Sequence, residues 1–365
     1  MLSIRALNRA LLARQLLLRR SDRTVLAAVT HLVGLQAQTP NAPYLALWSR
    51  LTDFDPNLLT ELINDRRVVR IALMRGTIHS VTDNDCLELR PHFGAVLARG
   101  LQGSFGKHLK GLDLNQVEAA ARKLLEKQPL SFNELGKLLE KRWPSRDPGA
   151  LANAVRAMVP LVQIPPRGTW GEGGLATHVP ADCWLGRPLS TAPALDRMIH
   201  RYLAAFGPAT VRDMQSWSGL TGLRPILESM RANLSTFIDD ESNELFDLTD
   251  APRPDPDTPA PPRFLPVFDN VLLAHADRRR ILPEAHRKML FGTAALLEGT
   301  ILVDGVVGAR WKIAQQRGRA VLTVDPFVPL RNGDRAAISD EGSGLLSFAM
   351  PTAETQEIRF KKPSR

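Results

Sequence analysis

Residues 68–81 read VVRIALMRGTIHSV, and this stretch decides the fold. Its two apolar runs, 68–73 and 78–81, fit β-strands, and Arg75-Gly76 fits the turn that joins them. Short helices fit three preceding segments: 24–33, 43–51 and 57–65. Three helices followed by a two-stranded hairpin are the pattern of a winged helix. The alternative is an all-helical packing of the first 250 residues.

The same plan recurs in a second segment. A helix fits 113–127, Ser131 and Glu134 form a capping box that opens the next helix, and Pro148 stands in the first turn of a third. Strands fit 161–164 and 176–179, and a long, basic wing joins them at 165–171. These signals predict a second winged helix.

A third copy begins with a helix that fits 193–206. Thr210 and Asp213 cap the following helix, and Pro225 starts the one after it. The tip of the third hairpin is acidic, at Asp239-Asp240-Glu241. Because carboxylates repel phosphates, we expect this wing to point away from any nucleic acid.

Beyond a proline-rich stretch the pattern becomes β-like, and Asp304-Gly305 between aliphatic runs is a strong hairpin signal. The sequence thus predicts an α+β chain with three tandem winged helix-turn-helix units and a β-rich end. The predicted parts are 1–100 (a basic amino-terminal helix and winged helix 1), 111–188 (winged helix 2), 189–250 (winged helix 3), 251–262 (linker or surface strap) and 263–365 (β-rich domain).

Charge and composition narrow the class of protein. The formal net charge is +9, which favours a phosphate polymer as partner, although codon usage in a high-GC genome would also enrich arginine. Cys86 and Cys183 lie far apart and the histidines show no metal-binding spacing, so we expect no metal and no cofactor. No apolar run is long enough to span a membrane, and we expect a cytoplasmic protein.

No common catalytic motif stands in the chain, and the conspicuous polar pair is Gln36 and Gln38. Side chains at i and i+2 point the same way from extended backbone. Gly34 allows the preceding helix to end, and Pro40 keeps Thr39 from helical geometry. The two amides are therefore expected to project side by side. The alternative is that they only cap helix ends or bind water.

Several stretches resemble the AlkZ family of bacterial winged-helix DNA glycosylases. In chain order they are 34–38 (GLQAQ), 44–51 (YLALWSRL), 74–79 (MRGTIH), 201–210 (RYLAAFGPAT), 217–220 (WSGL), 268–278 (FDNVLLAHADR) and 303–308 (VDGVVG). The resemblance covers nearly the whole chain. It implies tandem winged helices, a C-terminal β-barrel and removal of N7-alkylated purines from duplex DNA.

The family's catalytic motif is Gln-aliphatic-Gln or Gln-aliphatic-Asp, so the resemblance assigns catalysis to Gln36 and Gln38. Some members unhook interstrand crosslinks made by a natural-product genotoxin, such as an azinomycin-like compound, as self-resistance of the producer. Residues 1–100 contain no lysine, so a Schiff-base lyase step from this site is not expected and the enzyme should be monofunctional. The expected partner is double-stranded DNA with alkylated or crosslinked purines, bound by a monomer.

Further residues are candidates for DNA contact: Arg5, Arg9, Arg75, His79, Arg167, His275, Arg278, Arg279, Val306, Val307 and Arg310. Val306 and Val307 follow the Asp304-Gly305 turn, which could wedge the minor groove or simply close the barrel. His79 could instead be a hydrogen-bonded histidine of the hairpin, and His275 with Arg278 could belong to a surface ion-pair network.

Two other functions compete with the glycosylase. A non-catalytic regulator would read DNA sequence through a recognition helix, but the third helix of the first unit, 57–65, is acidic and poor in base-reading residues. A structural lesion binder without catalysis is the other alternative.

Overall fold

The computed structural model describes residues 1–290 and 298–363. The first part of the chain contains three short helices before a hairpin, as predicted. Its elements are α1 (Ile4–Arg14), α2 (Val25–His31), β1 (Leu35–Gln36), α3 (Ala42–Trp48), α4 (Pro56–Asn64), β2 (Val68–Ala72), β3 (Ile78–Thr82), α5 (Asp83–Leu89) and α6 (Gly94–Leu109). A 3-10 turn at Met74–Gly76 joins β2 to β3. Sequence analysis did not predict α5 or α6.

The second part repeats the order of helices and strands. Its elements are α7 (Leu114–Leu125), β4 (Leu130–Ser131), α8 (Phe132–Glu140), α9 (Pro148–Met158), β5 (Leu161–Gln163), β6 (Thr177–Pro180) and α10 (Ala181–Leu185). The capping box predicted at Ser131 and Glu134 is present, and Pro148 opens α9 as expected. Strands β2 and β5 pair in antiparallel fashion, so both hairpins share one six-stranded sheet of order β1-β3-β2-β5-β6-β4.

The third part ends in a separate two-stranded sheet. Its elements are α11 (Leu195–Phe206), α12 (Val211–Ser218), α13 (Arg224–Met230), β7 (Leu234–Ile238) and β8 (Glu244–Leu248). The capping box predicted from Thr210 and Asp213 is formed. The acidic tip after β7 faces protein groups, because Asp240 accepts a hydrogen bond from the Ile4 backbone and Glu241 pairs with Arg279.

The C-terminal part is an open sheet covered by a helix, and the expected β-barrel is wrong. Its elements are β9 (Arg263–Leu265), α14 (Asn270–Leu273), α15 (Glu284–Leu290), β10 (Gly299–Val303), β11 (Val306–Gln316), β12 (Arg319–Pro326), α16 (Asn332–Ala349) and β13 (Thr355–Phe360). The sheet order β13-β12-β11-β10-β9 leaves β9 and β13 at opposite edges. Helix α16 packs closely across it at Gly342, where an added Cβ would lie 2.9 Å from Leu322 and 3.4 Å from Phe264. A helix and not a closing strand therefore covers this face.

The largest hydrophobic core joins segments that are distant in sequence. Leu11 of α1, Tyr202 of α11 and Leu265 of β9 belong to the same buried cluster. The proline-rich stretch lies along α1, where the Pro252 and Thr258 carbonyls accept hydrogen bonds from Arg14 and Arg9. Helix α1 is therefore a packed element and not a free basic arm. Among the described helices, none combines the length and apolarity that crossing a membrane requires.

A buried ion pair anchors α1 to the third part of the chain. Both side chains, Arg14 and Asp247, are fully buried, and the carboxylate accepts two hydrogen bonds from the guanidinium, at 2.6 and 2.9 Å. Losing Asp247 leaves the Arg14 guanidinium as an uncompensated buried charge.

We therefore expect Asp247→Ala to lower the free energy of unfolding by about 3–5 kcal/mol, because it strands the Arg14 guanidinium in the core. Urea denaturation followed by circular dichroism measures the change. Glu228→Ala, which removes a solvent-exposed partner of Arg224 and Arg231, is the control and should leave the midpoint nearly unchanged. Equal losses in the two variants would contradict the anchoring role.

Candidate active site

Gln36 ends strand β1 at the edge of the six-stranded sheet, opposite His79 of β3. The main-chain N–H of Gln36 donates to the Asn270 side-chain oxygen at 3.1 Å, and the Asn270 amide nitrogen donates to the Gly34 carbonyl at 2.7 Å. One amide side chain from the C-terminal part thus holds the backbone on both sides of Leu35. Asn270 lies within the motif at 268–278, but sequence analysis gave it no role.

The backbone before Gln36 turns sharply. Val33 and Gly34 have φ values of 56° and 86°, which end α2 and aim the chain into β1. A Cβ at Gly34 would lie 2.5 Å from Cγ1 of Val81, so glycine is required by space as well as by conformation. The Ala37 N–H then donates to the Ile78 carbonyl at 2.8 Å, which continues the pairing past Gln36. The strand ends at Gln36, and Gln38 lies in a bend, so the side-by-side placement of the two amides stays a prediction.

The side chain of Gln36 is fixed by Arg75. The Arg75 guanidinium donates to Oε1 of Gln36 at 2.7 Å and also to the Trp217 carbonyl. Because a guanidinium only donates, it identifies the Gln36 atom it meets as the carbonyl oxygen. The amide nitrogen of Gln36 is left without a protein partner in the described part of the chain. Burial lowers the pKa of Arg75 to about 10, helped by nearby Arg278, so Arg75 remains charged at neutral pH.

Gln38 is exposed, in contrast to Gln36, which is only 7% accessible. Its Oε1 accepts from the Ile78 N–H at 3.3 Å, a long hydrogen bond. The carbonyl of the intervening Ala37 accepts from buried Arg70 at 2.9 Å. Burial also lowers the pKa of Arg70 to about 10. The motif is thus held at its backbone and at Gln36, while the Gln38 side chain faces solvent.

His79 lies next to Gln36 across the strand pair and is fully buried. Its Nδ1 lies 3.0 Å from the Thr77 carbonyl, and its Nε2 has no partner. Burial, and then the charge of Arg75, lower the pKa of His79 to about 3. The imidazole is neutral at physiological pH and is not placed to contact phosphate, which corrects the expectation of DNA contact. The alternative of a hydrogen-bonded hairpin histidine is what the structure shows.

The contacts of the two glutamines define what the site can do. In the described residues, the groups hydrogen-bonded to them are Arg75, Asn270 and the main chain of Ile78, and none is a carboxylate. The same part of the chain contains no group of three or more His, Cys, Asp or Glu placed to hold a metal ion. The site therefore offers fixed amide dipoles that can orient water or face developing positive charge, and no contacting group that takes up a proton near pH 7.

Several residues expected to contact DNA are buried instead. Arg9 is 1% exposed and bonds Asp304 and the Thr258 carbonyl. His275 is also buried, with its Nε2 near the Phe206 carbonyl, and burial lowers its pKa to about 3. Val307 is fully buried. These three expectations are corrected, because each side chain is already packed or bonded inside the protein.

The hairpin tip at Asp304-Gly305 forms as predicted but is covered by α1. Asn8 donates to the Gly305 carbonyl at 2.7 Å, and Arg5 and Arg9 both pair with Asp304. The tip is therefore not free to enter a DNA groove in this arrangement, which leaves Val306 half-buried beside it.

The remaining basic candidates are partly exposed, and DNA contact stays a prediction for them. Arg167 is half-buried and donates to the Gly174 carbonyl. Arg279 pairs with Asp277 and Glu241, and Arg310 pairs with Asp325. Arg278 is half-buried, and its positive charge helps to lower the pKa of Arg75.

The match to a protein-family model identifies the class of protein to which the chain belongs. The family model described as "DNA glycosylase AlkZ-like" matches residues 29–348, a range that includes Gln36, Arg75 and Asn270. The fold and the site thus belong to a DNA glycosylase, a hydrolase of N-glycosyl bonds. The chain is a member of the AlkZ-like DNA glycosylase family, which confirms the resemblance found in the sequence and favours the enzyme over the regulator.

A curated protein and a solved structure, both from Streptomyces sahachiroi, agree with this assignment. A protein named "Interstrand DNA cross-link repair glycosylase" is 26% identical over 334 residues, covering 86% of this chain and 88% of the relative. A solved structure, "Streptomyces sahachiroi DNA glycosylase AlkZ", superposes with a TM-score of 0.76 at 21% identity, covering 99% of this chain and 100% of that one. The structural likeness shows that the mixed α+β fold is shared.

The buried, neutral His79 predicts a pH dependence of stability. In the unfolded chain the imidazole binds a proton near its usual pKa of 6.5, whereas in the folded protein it does so only near a pKa of about 3. Between these values the unfolded state holds more protons, so the free energy of unfolding falls as the pH is lowered from 6.5 toward 3.

We expect His79→Gln to make this fall shallower, by up to about 1.4 kcal/mol per pH unit. Urea denaturation at a series of pH values between 7 and 4.5 measures the slope. His108→Gln, at an exposed histidine, is the matched control and should keep the wild-type slope. A wild-type slope in His79→Gln would contradict a neutral, buried imidazole.

Proposed function

We propose that the enzyme is a monofunctional glycosylase that hydrolyses the N-glycosidic bond of N7-alkylated purines in duplex DNA, with Gln36 and Gln38 as its catalytic residues. One observation carries the proposal: Gln36 is clamped by Arg75 and Asn270, and the exposed Gln38 follows two residues later. Gln36 is held through both its main chain and its side chain. Catalysis by positioning requires side chains that are fixed in this way.

The chemistry suits a site without a general base. Alkylation at N7 makes the purine cationic, so the base leaves as a neutral molecule when the glycosidic bond breaks. The sugar then carries positive charge, water attacks C1′, and the water's proton passes to solvent. A fixed carbonyl dipole directed at the sugar lowers the energy of this transition state.

The hydrogen bonds of the two glutamines differ and indicate a different catalytic role for each. The charge of Arg75 opposes the carbonyl dipole of Gln36, which makes that carbonyl the poorer partner for a cationic sugar. We therefore assign the attacking water to Gln36. The carbonyl of Gln38 bonds only a neutral main-chain N–H and is exposed, so we assign it to the sugar.

The proposal extends to crosslinked purines as substrates. The curated relative carries interstrand crosslink repair in its name, and it aligns with most of this chain. A purine tethered to both strands is difficult to flip into a deep pocket. The solvent-exposed Gln38 supports a site that meets such a lesion at the surface of the protein. We propose that unhooking a natural-product crosslink is the biological task, as self-resistance.

We also propose the domain arrangement, the cellular location and the oligomeric state of the protein. The recurrence of three helices before each of the hairpins β2–β3, β5–β6 and β7–β8 supports three winged helices, with domain limits as predicted from the sequence. In this proposal the protein acts in the cytoplasm as a monomer.

The proposal predicts the behaviour of two variants on a duplex with a single N7-methylguanine. Gln36→Ala and Gln38→Ala should each lower the single-turnover rate of base release by roughly 10²–10³-fold, the usual cost of one preorganised dipole. DNA affinity should stay within a few-fold, because neither amide is a phosphate ligand. Alkaline cleavage at the abasic site measures release, and fluorescence anisotropy measures affinity.

Gln128→Ala is the control, at an exposed glutamine after α7, and should react like the wild type. If binding and release fell in parallel in Gln36→Ala and Gln38→Ala, the glutamines would be structural. If the wild type released no base from this duplex, the assignment of N7-alkylpurines would be lost.

A further inference from the structure

Helix α6 lies in a segment without negative side chains. Residues 89–112 contain no aspartate or glutamate, yet Arg99, Lys107 and Lys110 are all exposed there. Arg99 and Lys107, eight residues apart, lie on one exposed face of α6, and Lys110 follows the last residue of the helix, Leu109. This exposed face carries positive and no negative side chains.

The cations of this face are not neutralised by carboxylates. Arg99 donates to the Gly219 carbonyl, and neither Lys107 nor Lys110 forms an ion pair with another described residue. At the C-terminal end of α6, Arg146 donates to the carbonyl of Lys110 at 2.9 Å and adds another cation beside it. A surface that concentrates positive side chains, with no negative ones among them, attracts an anionic polymer.

A groove runs along the inner side of α6, between this helix and α9. Its volume is about 220 Å³, and its lining includes Gly100, Ser104 and Phe105 of α6 together with Arg75 and Arg156. Arg156 donates to the Gly76 carbonyl at 2.8 Å, beside the turn that carries Arg75. Since Arg75 also holds Gln36, one end of the groove is next to the candidate active site.

We propose that α6 and this groove bind the sugar–phosphate backbone of duplex DNA beside the damaged nucleotide. From Gly100 to Lys107 the helix rises roughly 10 Å along its axis, or about three nucleotide steps of one strand. A Cβ added at Gly100 would have no heavy atom within 4 Å, so the DNA backbone can approach the helix closely there. The inference rests on the family's DNA substrate and not on the roles of the two glutamines.

Salt dependence of binding to an undamaged duplex tests the proposal independently of catalysis. Each phosphate contact that is lost should reduce the slope of log affinity against log salt by about 0.9. For the full-length double variant Lys107→Ala/Lys110→Ala we expect a slope shallower by about 1.8 and an affinity at least tenfold lower at low salt. Fluorescence anisotropy with a labelled 21-base-pair duplex gives both values.

The matched control is Lys123→Ala/Lys127→Ala, which removes the same charge from exposed lysines in and after α7. It should keep the wild-type slope. An unchanged slope in Lys107→Ala/Lys110→Ala, or an equal change in the control, would overturn the proposal.

A second pair of variants tests the groove itself. Ser104 is exposed and lines it, so Ser104→Glu places a negative charge on the proposed path of the phosphates. We expect at least tenfold weaker binding for Ser104→Glu and less than a twofold change for Ser104→Ala, with thermal unfolding near that of the wild type in both. Wild-type affinity in Ser104→Glu would overturn the groove as a DNA path.

Discussion

The hydrogen bonds that Asn270 donates to Gly34 and accepts from Gln36 are the contacts on which the candidate site depends. They join strand β1 to a segment 234 residues later in the chain. The neighbouring Asp269 is bound by buried Arg50, at 2.7 and 2.9 Å, and this pair fixes the orientation of the segment. A buried ion pair adds little net stability, but it tolerates few alternative arrangements, which suits a contact that sets the position of a reactive group.

In the proposed mechanism, the electrostatics around Gln36 let an amide pair serve where other hydrolases use a carboxylate. The Arg75 guanidinium is charged, and His79 is held neutral by burial. Neither group changes its protonation across the physiological range. A carboxylate at position 36 would pair with Arg75 and lose its use as a base, whereas an amide is oriented by the same contact and keeps a free N–H group. Such a site would act through the fixed orientation of its amide groups and not through proton transfer.

The parts of the fold that the sequence predicted are those with local causes. Capping boxes at Ser131 and Thr210, the proline that opens α9 and the Asp304-Gly305 turn each act within a few residues of chain. Helix α6 was missed because four glycines interrupt its apolar pattern, and α16 because serines and glycines do the same. The β-barrel was expected from the family resemblance, whereas α16 covers the face of an open sheet.

The sequence indicated Gln36 and Gln38 as a candidate pair, whose catalytic role stays a prediction, but it did not predict the contacts that hold them. The carbonyl orientation of Gln36 depends on Arg75, which the sequence offered only as a further cation. Arg9 was taken for a phosphate ligand, yet it is neutralised by Asp304, 295 residues away. Burial and pairing of this kind arise from long-range packing, so no local pattern reveals them.

In the proposed mechanism Arg75 acts through Gln36. A double-mutant cycle on single-turnover release of N7-methylguanine from a duplex tests this coupling directly. We expect Arg75→Ala to slow release strongly, and adding it to Gln36→Ala to slow the reaction by no more than a few-fold further. Losses that multiply in the double variant would contradict the coupling, because Arg75 would then act independently of Gln36.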